Sequence, residues 1–507
     1  MILTRRLKSA SAALAKAGRT EKSRYKPVIG LEVHIQLNTA TKLFSRASTS
    51  EASPNRRVSP LDMATPGTLP HLNRQSVHRA LKMARLMRCT IPEWSRFDRK
   101  HYFYADMPAG YQITQNERPI AKCGKFGFYV FDEHLEPYWK EVDIIQLQLE
   151  QDSGKTIHLD PHRSLVDYNR AGCALVEVVT TPCFQTSLEA IRFVQHLRLL
   201  LIHHNICDGE LHKGHMRVDA NVSLSFDDVG GVRTEIKNMN SIRTIHTAIN
   251  YEIERQFEIL SAGGTVANET RAADADGRTI EMRDKEEETD YRFMVEPNLP
   301  KLFVKKQWVE QAALEISRAG KAKFEELRDS AGFDPRSAVH IAEDPCLSAF
   351  IDRCLSHEMQ RPLLNPSEIL FWMRELKTVM QRSKATYPPQ SDFFARQFVQ
   401  LVLFFREQRL TRLRVLDLLR YYSSSEEVVD DVTTFCDQNQ FWRITDPEEI
   451  EKAVRNSIAK NSKLAGKVKG AANMKSFNRL RNLIVEDTQK CVELEDVQKE
   501  MRKCLGF

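Results

Sequence analysis

The feature that most constrains this chain is a period of two in four separate stretches, where charged or amide side chains alternate with apolar ones. In LEVHIQL, Glu32, His34 and Gln36 fall on one side, and Leu31, Val33, Ile35 and Leu37 on the other. In IIQLQLEQD, Gln146, Gln148, Glu150 and Asp152 share a face opposite Ile145, Leu147 and Leu149. MRVDANVSLS sets Arg217, Asp219, Asn221, Ser223 and Ser225 against Val218, Ala220, Val222 and Leu224. VRTEIKN puts Arg233, Glu235 and Lys237 on one side. Side chains alternate across a strand, so each run is a β-strand with one apolar face. Any one of them is also what a half-solvated sheet looks like. Such a face usually carries scattered Lys, Thr and Glu. Here it gathers carboxylates, an imidazole, amides and Arg/Lys, an inventory that suits divalent ions and phosphates.

A chain of 507 residues is too long for one core, and about three domains are expected. Strands, turns and a few helices alternate irregularly from 27 to 302, which reads as α+β. Thr186 followed by Glu189 forms a capping box ahead of FVQHLRLLLIHH. Ile242, Ile245, Ile249, Ile253 and Leu260 repeat at helical spacing after Asn240 or Ser241. Beyond Pro300 the pattern is helical. One helix is expected over Trp308 to Leu327, another from Asp334-Pro335, and a long stretch over Phe393 to Tyr422. SKATYPPQSD, Ser383 to Asp392, reads as a linker. The expected division is a first domain at 27–302, a helical domain at 303–385 and a helical tail at 386–507.

The amino terminus, MILTRRLKSASAALAKAGRT, carries Arg5, Arg6, Lys8, Lys16 and Arg19 and no acid before Glu21. A basic, Ser- and Ala-rich leader of this kind reads as a mitochondrial transit peptide over residues 1–26, against the alternative of a plain basic tail. The ten cysteines include no CxxC pair, which excludes zinc-finger spacing and fits a reducing compartment. No apolar run approaches 18 residues, so no membrane span is expected. Net charge is only +6, but it is concentrated: Lys452 to Arg481 holds nine basic residues and no acid. That block points to a polyanion such as RNA rather than to an ordinary solvated surface. The candidates for this contact are Lys463, Lys467, Lys469, Lys475, Arg479 and Arg481. Phe477 is the block's only aromatic residue, so phosphate contact is expected and base stacking is not.

The chain lacks a P-loop, a GxGxxG after a strand and a GxSxG elbow. Any use of nucleotide must therefore rest on carboxylate-held metal and Arg/Lys groups on a sheet. His34 is a poor magnesium ligand. It either contacts such a site indirectly, admits manganese or zinc, or is structural. FDRKHYFYADMPAGYQITQ, with Lys100, reads as a loop over a site, and EMRDKEEETDYR, with Arg283, as a second; each could equally be an exposed, salt-bridged loop.

VIGLEVHIQLNTATKLFS, ATPGTLPHLN, FDRKHYFYADMPAGYQITQ, DYNRAGCALVEVVTTP, MRVDANVSL, TEIKNMNS and DYRFMVEPNLP together resemble the GatB family. These are the B subunits of glutamyl-tRNA(Gln)/aspartyl-tRNA(Asn) amidotransferases. The resemblance runs in order from about Val28 to Leu302. It implies a glutamine synthetase-like cradle with a polar-faced antiparallel sheet, then all-α helical and YqeY-like tail domains. It implies ATP-dependent activation of the glutamyl side chain of mischarged Glu-tRNA(Gln), with Mg2+. Ammonia from a partner amidase, the A subunit, would then displace phosphate. A small C subunit would complete a heterotrimer in the mitochondrial matrix. Under this reading Glu32, His34, Glu150 and Asp219 form one metal set. Arg217, Lys237 and Glu235 are catalytic, and Arg283, Lys100 and Asn221 hold the nucleotide.

The chain also departs from the family. Gln151 follows Glu150 where a second Glu is common, SPLDMATPG lacks a Cys, and His215 replaces a usual Ser. Met294, Val295 and Asn298 alter a more regular string, and NRLRNLIVED departs from the usual tail. Gln151 and the tail favour an alternative, a catalytically weakened tRNA-binding scaffold. Intact GLEVH and RVDANVSL favour the enzyme. No Ser-Lys or Cys nucleophile context marks the chain as the amidase itself.

Overall fold

The computed structural model describes residues 24–506 apart from 161, 228, 275, 285–290, 359–363, 384–385, 425–430 and 472–473. The leader lies outside the described residues up to 23, and the first strand already pairs from Tyr25. The chain divides into two compact units, the first ending at Lys323 and the second Phe324–Phe507.

The first unit is built on eight strands. They are β1 (Tyr25–Gln36), β2 (Ala121–Val130), β3 (Tyr138–Gln151), β4 (Ala174–Thr180), β5 (Met216–Phe226), β6 (Thr234–Met239), β7 (Glu269–Ala273) and β8 (Thr279–Asp284). The order across the sheet is β8-β7-β6-β5-β1-β4-β3-β2. Neighbours are antiparallel except β6 and β7, which run parallel with Glu235 opposite Thr270. The sheet is therefore mixed, not antiparallel throughout. Helix α3 (Ile242–Ser261) joins β6 to β7, and a crossover of that length permits parallel pairing.

The period of two becomes burial. Leu31, Val33, Ile35, Val218, Ala220 and Val222 are all buried beneath the sheet. Helices α1 (Arg74–Leu86), α2 (Ser187–His203) and α3 pack on the sheet. Each is capped by a side chain: Asn73 accepts from the Gln75 N–H, and Thr186 and Ser241, both expected helix starts, accept from Glu189 and Thr244. In the capping box the Glu189 carboxylate also accepts from the Gln185 N–H at 2.7 Å.

Two bulges break the expected alternation. Register shifts between Ile144, opposite Thr180, and Gln146, opposite Val179. The extra residue is Ile145, which is 45% exposed, and its expected place in the core is taken by Ile144. A second shift lies between Val218 and Ala220, where Asn238 adopts φ 59°. Arg233, expected on the polar face of this strand, precedes β6 and is exposed.

One buried charge pair ties the loops after β1 together. Lys42 is fully buried, with Nζ 3.0 Å from Asp62 Oδ2 and 3.2 Å from the Tyr168 carbonyl oxygen. Gly172 passes so close that a Cβ there would meet Asp62 Oδ1 at 2.7 Å, and its φ is +80°.

The helix Lys306–Ala319 packs on α1 and so belongs to the first unit, placing the break at 323 rather than 302. It stops at Gly320, φ 73°, and a separate helix, Lys323–Asp329, follows where one continuous helix was expected. The second unit is helical and has two cores. One gathers Phe350, Trp372, Leu376, Met380, Phe394, Phe398, Val402 and Cys436. It runs straight across position 385, where the sequence reads as a linker. The other gathers Ile450, Val454, Val468, Phe477, Leu480, Ile484, Val497 and Met501. Among the described residues no helix is long and apolar enough to cross a membrane.

Candidate active site

Among the described residues, the polar face of the sheet carries two clusters of ligand-type atoms, each with its atoms within 4.8 Å of one another: Glu32, Asp219 and Glu235, and His34, Glu150 and Glu177. Strand pairing makes both. Glu32 sits opposite Asp219 across β1 and β5, while His34 sits opposite Glu177 on β4 and Arg217 on β5.

The four residues expected to form one metal set thus divide in two. Glu32 and His34 are two residues apart on one strand, a separation of about 6.7 Å. Glu32 has its ligand atom grouped with those of Asp219 and Glu235, and His34 with those of Glu150 and Glu177.

In the first cluster the Asn221 amide donates to Glu32 Oε1 at 3.0 Å, and the Thr270 hydroxyl donates to Glu235 Oε2 at 3.2 Å. The bulge turns the Asn238 N–H onto Asp219 Oδ1 at 2.7 Å. The Lys237 ammonium lies 3.0 Å from Glu235 and 3.7 Å from Asp219. Burial pulls the Lys237 pKa down, but Asp219 and Glu235 outweigh it and hold the pKa above its ordinary value. Burial raises the Asp219 carboxyl, with Lys237 opposing.

In the second cluster His34 Nε2 lies 3.6 Å from Glu150 Oε1 and 3.9 Å from Glu177 Oε2. The Thr114 hydroxyl donates to Glu150 at 3.1 Å, and the Gln148 amide donates to Glu177. Burial lowers the His34 pKa against the pull of Glu150, so the ring is neutral near pH 7 with a lone pair to offer. Burial, then Glu150 and Glu32, push the Glu177 carboxyl well above the carboxylate range. Carboxylates crowded in this way hold a proton until a cation replaces it, the behaviour of a metal site.

The remaining expected residues take other places. Arg217 is held by Asp152 in a two-bond clamp at 2.9 and 3.0 Å, and Arg170 also reaches Asp152 at 3.5 Å. Lys100 lies over the Tyr291 ring at 4.6 Å and lowers the Glu177 pKa electrostatically. Arg283 stands opposite Thr270 on β8; its side chain lies outside the described residues.

In the second unit, Lys463 and Lys467 are exposed on the helix Ser462–Ala471, one turn apart, with Ala465 and Val468 buried. Lys475 and Arg479 repeat this spacing on Met474–Asp487, where Arg481 bonds to Asn482. The Lys469 side chain lies outside the described residues. Phe477 is core.

Glu177 and the clamping role of Asp152 are not legible in the sequence pattern. Glu177 is the one charge in ALVEVVT, a strand otherwise apolar and largely buried between β1 and β3, so no alternation marks it. A lone carboxylate in a buried run was the available signal. Gln151 also has a different meaning. Consecutive strand residues face opposite ways, and its amide contacts Met107 Sδ at 3.6 Å. The third group of the cluster comes from β4, so Gln151 costs the site no ligand.

The family model of the GatB/GatE catalytic domain matches residues 27–310. The chain is similar to the B subunit of a mitochondrial glutamyl-tRNA(Gln) amidotransferase of Aedes aegypti, 40% identical over 91% of this chain and 90% of the relative. It is similar to a protein of the same name from Danio rerio, 36% identical over 91% and 86%. The B subunit of an aspartyl/glutamyl-tRNA(Asn/Gln) amidotransferase of Brachyspira hyodysenteriae is 33% identical over 95% and 99%.

Proposed function

The chain belongs to the GatB/GatE catalytic-domain family, and from that premise we propose that it activates the glutamyl side chain of Glu-tRNA(Gln) with ATP for amidation to Gln-tRNA(Gln). The observation that carries this reading is the pair of clusters side by side on one sheet face.

A glutamyl carboxylate resists ammonia because its leaving group would be oxide. Phosphorylation makes phosphate the leaving group, and phosphoryl transfer is catalysed mostly by positioning and charge neutralisation. Both clusters fit a hard divalent ion such as Mg2+, being rich in carboxylate oxygen, with neutral His34 the less usual donor. Bound ions would neutralise the triphosphate oxygens. Lys237 adds positive charge beside the first cluster, where transfer develops negative charge. Asn221, Thr270 and the Asn238 N–H fix the carboxylates of that cluster. Arg217, clamped by Asp152, is a positioning residue beside His34, and the Lys100 charge opposes the upward push on the Glu177 carboxyl.

Ammonia would come from the amidase, or A, subunit, with a small C subunit completing a heterotrimer. The mitochondrial names of relatives and the basic leader support a place in the mitochondrial matrix. The test uses the reconstituted complex with γ-labelled ATP. Phosphate release is expected with Glu-tRNA(Gln) and not with Gln-tRNA(Gln), and hydroxylamine should trap the activated acyl group as a hydroxamate. ATP hydrolysis indifferent to the acyl group would refute the reaction.

The exposed pairs Lys463/Lys467 and Lys475/Arg479 support tRNA backbone contact. Changing all four to Gln should weaken tRNA binding and flatten its salt dependence by roughly 0.7–0.9 in log–log slope for each phosphate no longer held. An unchanged slope would count against this segment.

A further inference from the structure

We propose that the ring of Phe103 is the stacking platform for the terminal adenosine of the acylated tRNA's 3′ end. The proposal rests on the function given above and adds the recognition of one substrate's base.

Phe103 is 86% exposed, an unfavourable place for a large apolar ring. Its ring stands next to Gly110, φ +71°, where an added Cβ would come within 3.2 Å of it. The loop beneath is pinned at three points. The Tyr102 N–H donates to the Gly110 carbonyl at 3.1 Å, the Gly154 N–H to Asp106 at 2.9 Å, and the Tyr168 hydroxyl to Ala105 at 2.7 Å. The backbone that carries the ring is thus held, and the ring itself is open to a planar partner.

The same segment reaches the second cluster. Lys100 acts on Glu177, and Tyr102, whose hydroxyl pKa burial raises most, also feels Glu150 and Asp152. Further exposed rings belong to this neighbourhood: Tyr104 at 56%, and Phe293 at 43% just before the strand that pairs Met294 with Arg99. Aromatic rings beside a cation such as Lys100 are how proteins hold single-stranded nucleic acid ends. The reacting carboxyl is separated from the terminal ribose by five single bonds, about 6 Å of chain. The terminal base must therefore rest just outside the clusters. ATP could also supply an adenine, but a solvent-facing platform suits the end of a polymer arriving from outside.

The test is the whole complex with tRNA carrying 2-aminopurine as its terminal base. Binding should quench the fluorophore in the wild type. Phe103→Leu should lose most of the quench and raise the KM for Glu-tRNA about tenfold to a hundredfold, the range for one stacked base, with the KM for ATP within twofold. Phe103→Trp should restore both. A raised KM for ATP with tRNA unaffected would give the ring to ATP and overturn the proposal. Loss of the amidase on purification would give it to a protein contact and overturn it too, as would no change at all. Phosphate release without quenching in the wild type would sink the platform alone. Quenching without phosphate release would sink the reaction and leave the platform.

Discussion

Glu32→Gln and Asp219→Asn should each lower Glu-tRNA-dependent phosphate release by roughly a thousandfold while tRNA still binds. Both carboxylates belong to the cluster formed with Glu235, and each substitution keeps size while removing charge. A divalent ion neutralising a phosphoryl group contributes several kcal/mol, and about 4 kcal/mol corresponds to roughly 10³ in rate. The two changes disable one unit, so the double variant should be little worse than either single. Glu177→Gln should impair turnover through the other cluster, and its effect should combine differently with Glu32→Gln. Single-turnover phosphate release and filter binding of tRNA separate the two functions. Wild-type turnover in Glu32→Gln would remove the catalytic assignment of the whole polar face.

Lys42→Met should destabilise the first unit by about 3–5 kcal/mol, because it leaves the buried Asp62 with hydrogen bonds from Ser59 and Ser45 but no opposite charge. Lys42 has no exposed surface and its ammonium sits 3.0 Å from Asp62. At about 2 °C per kcal/mol for a unit of this size, the melting transition should fall by roughly 6–10 °C. Lys42→Met combined with Asp62→Leu should recover much of the loss, since removing both charges also removes their desolvation cost. Calorimetry of the two variants decides it. A single variant that melts with the wild type would mean that the pair contributes nothing.

The candidate site was legible where its groups alternate along one strand. Glu32, His34, Glu150, Asp219 and Glu235 are all brought to one face by the alternation that singled them out. Glu177 was hidden for the opposite reason. Its strand lies between two others and is apolar along most of its length, so no period sets its one carboxylate apart. The same pairing explains Gln151, whose departure from the family pattern falls on the face away from the ligands.

Local chemistry was enough for the strand faces, the helix starts at Thr186 and Ser241, and the exposed lysines of the tail. These depend on neighbours within a few residues. The tertiary structure alone decided the bulges at Ile145 and Asn238, the parallel pairing of β6 with β7, and the core that runs past 385. It also brought Glu177 to His34. Each depends on which distant segments meet, and strand partners are chosen by burial and hydrogen bonding across the whole sheet, which no local period records.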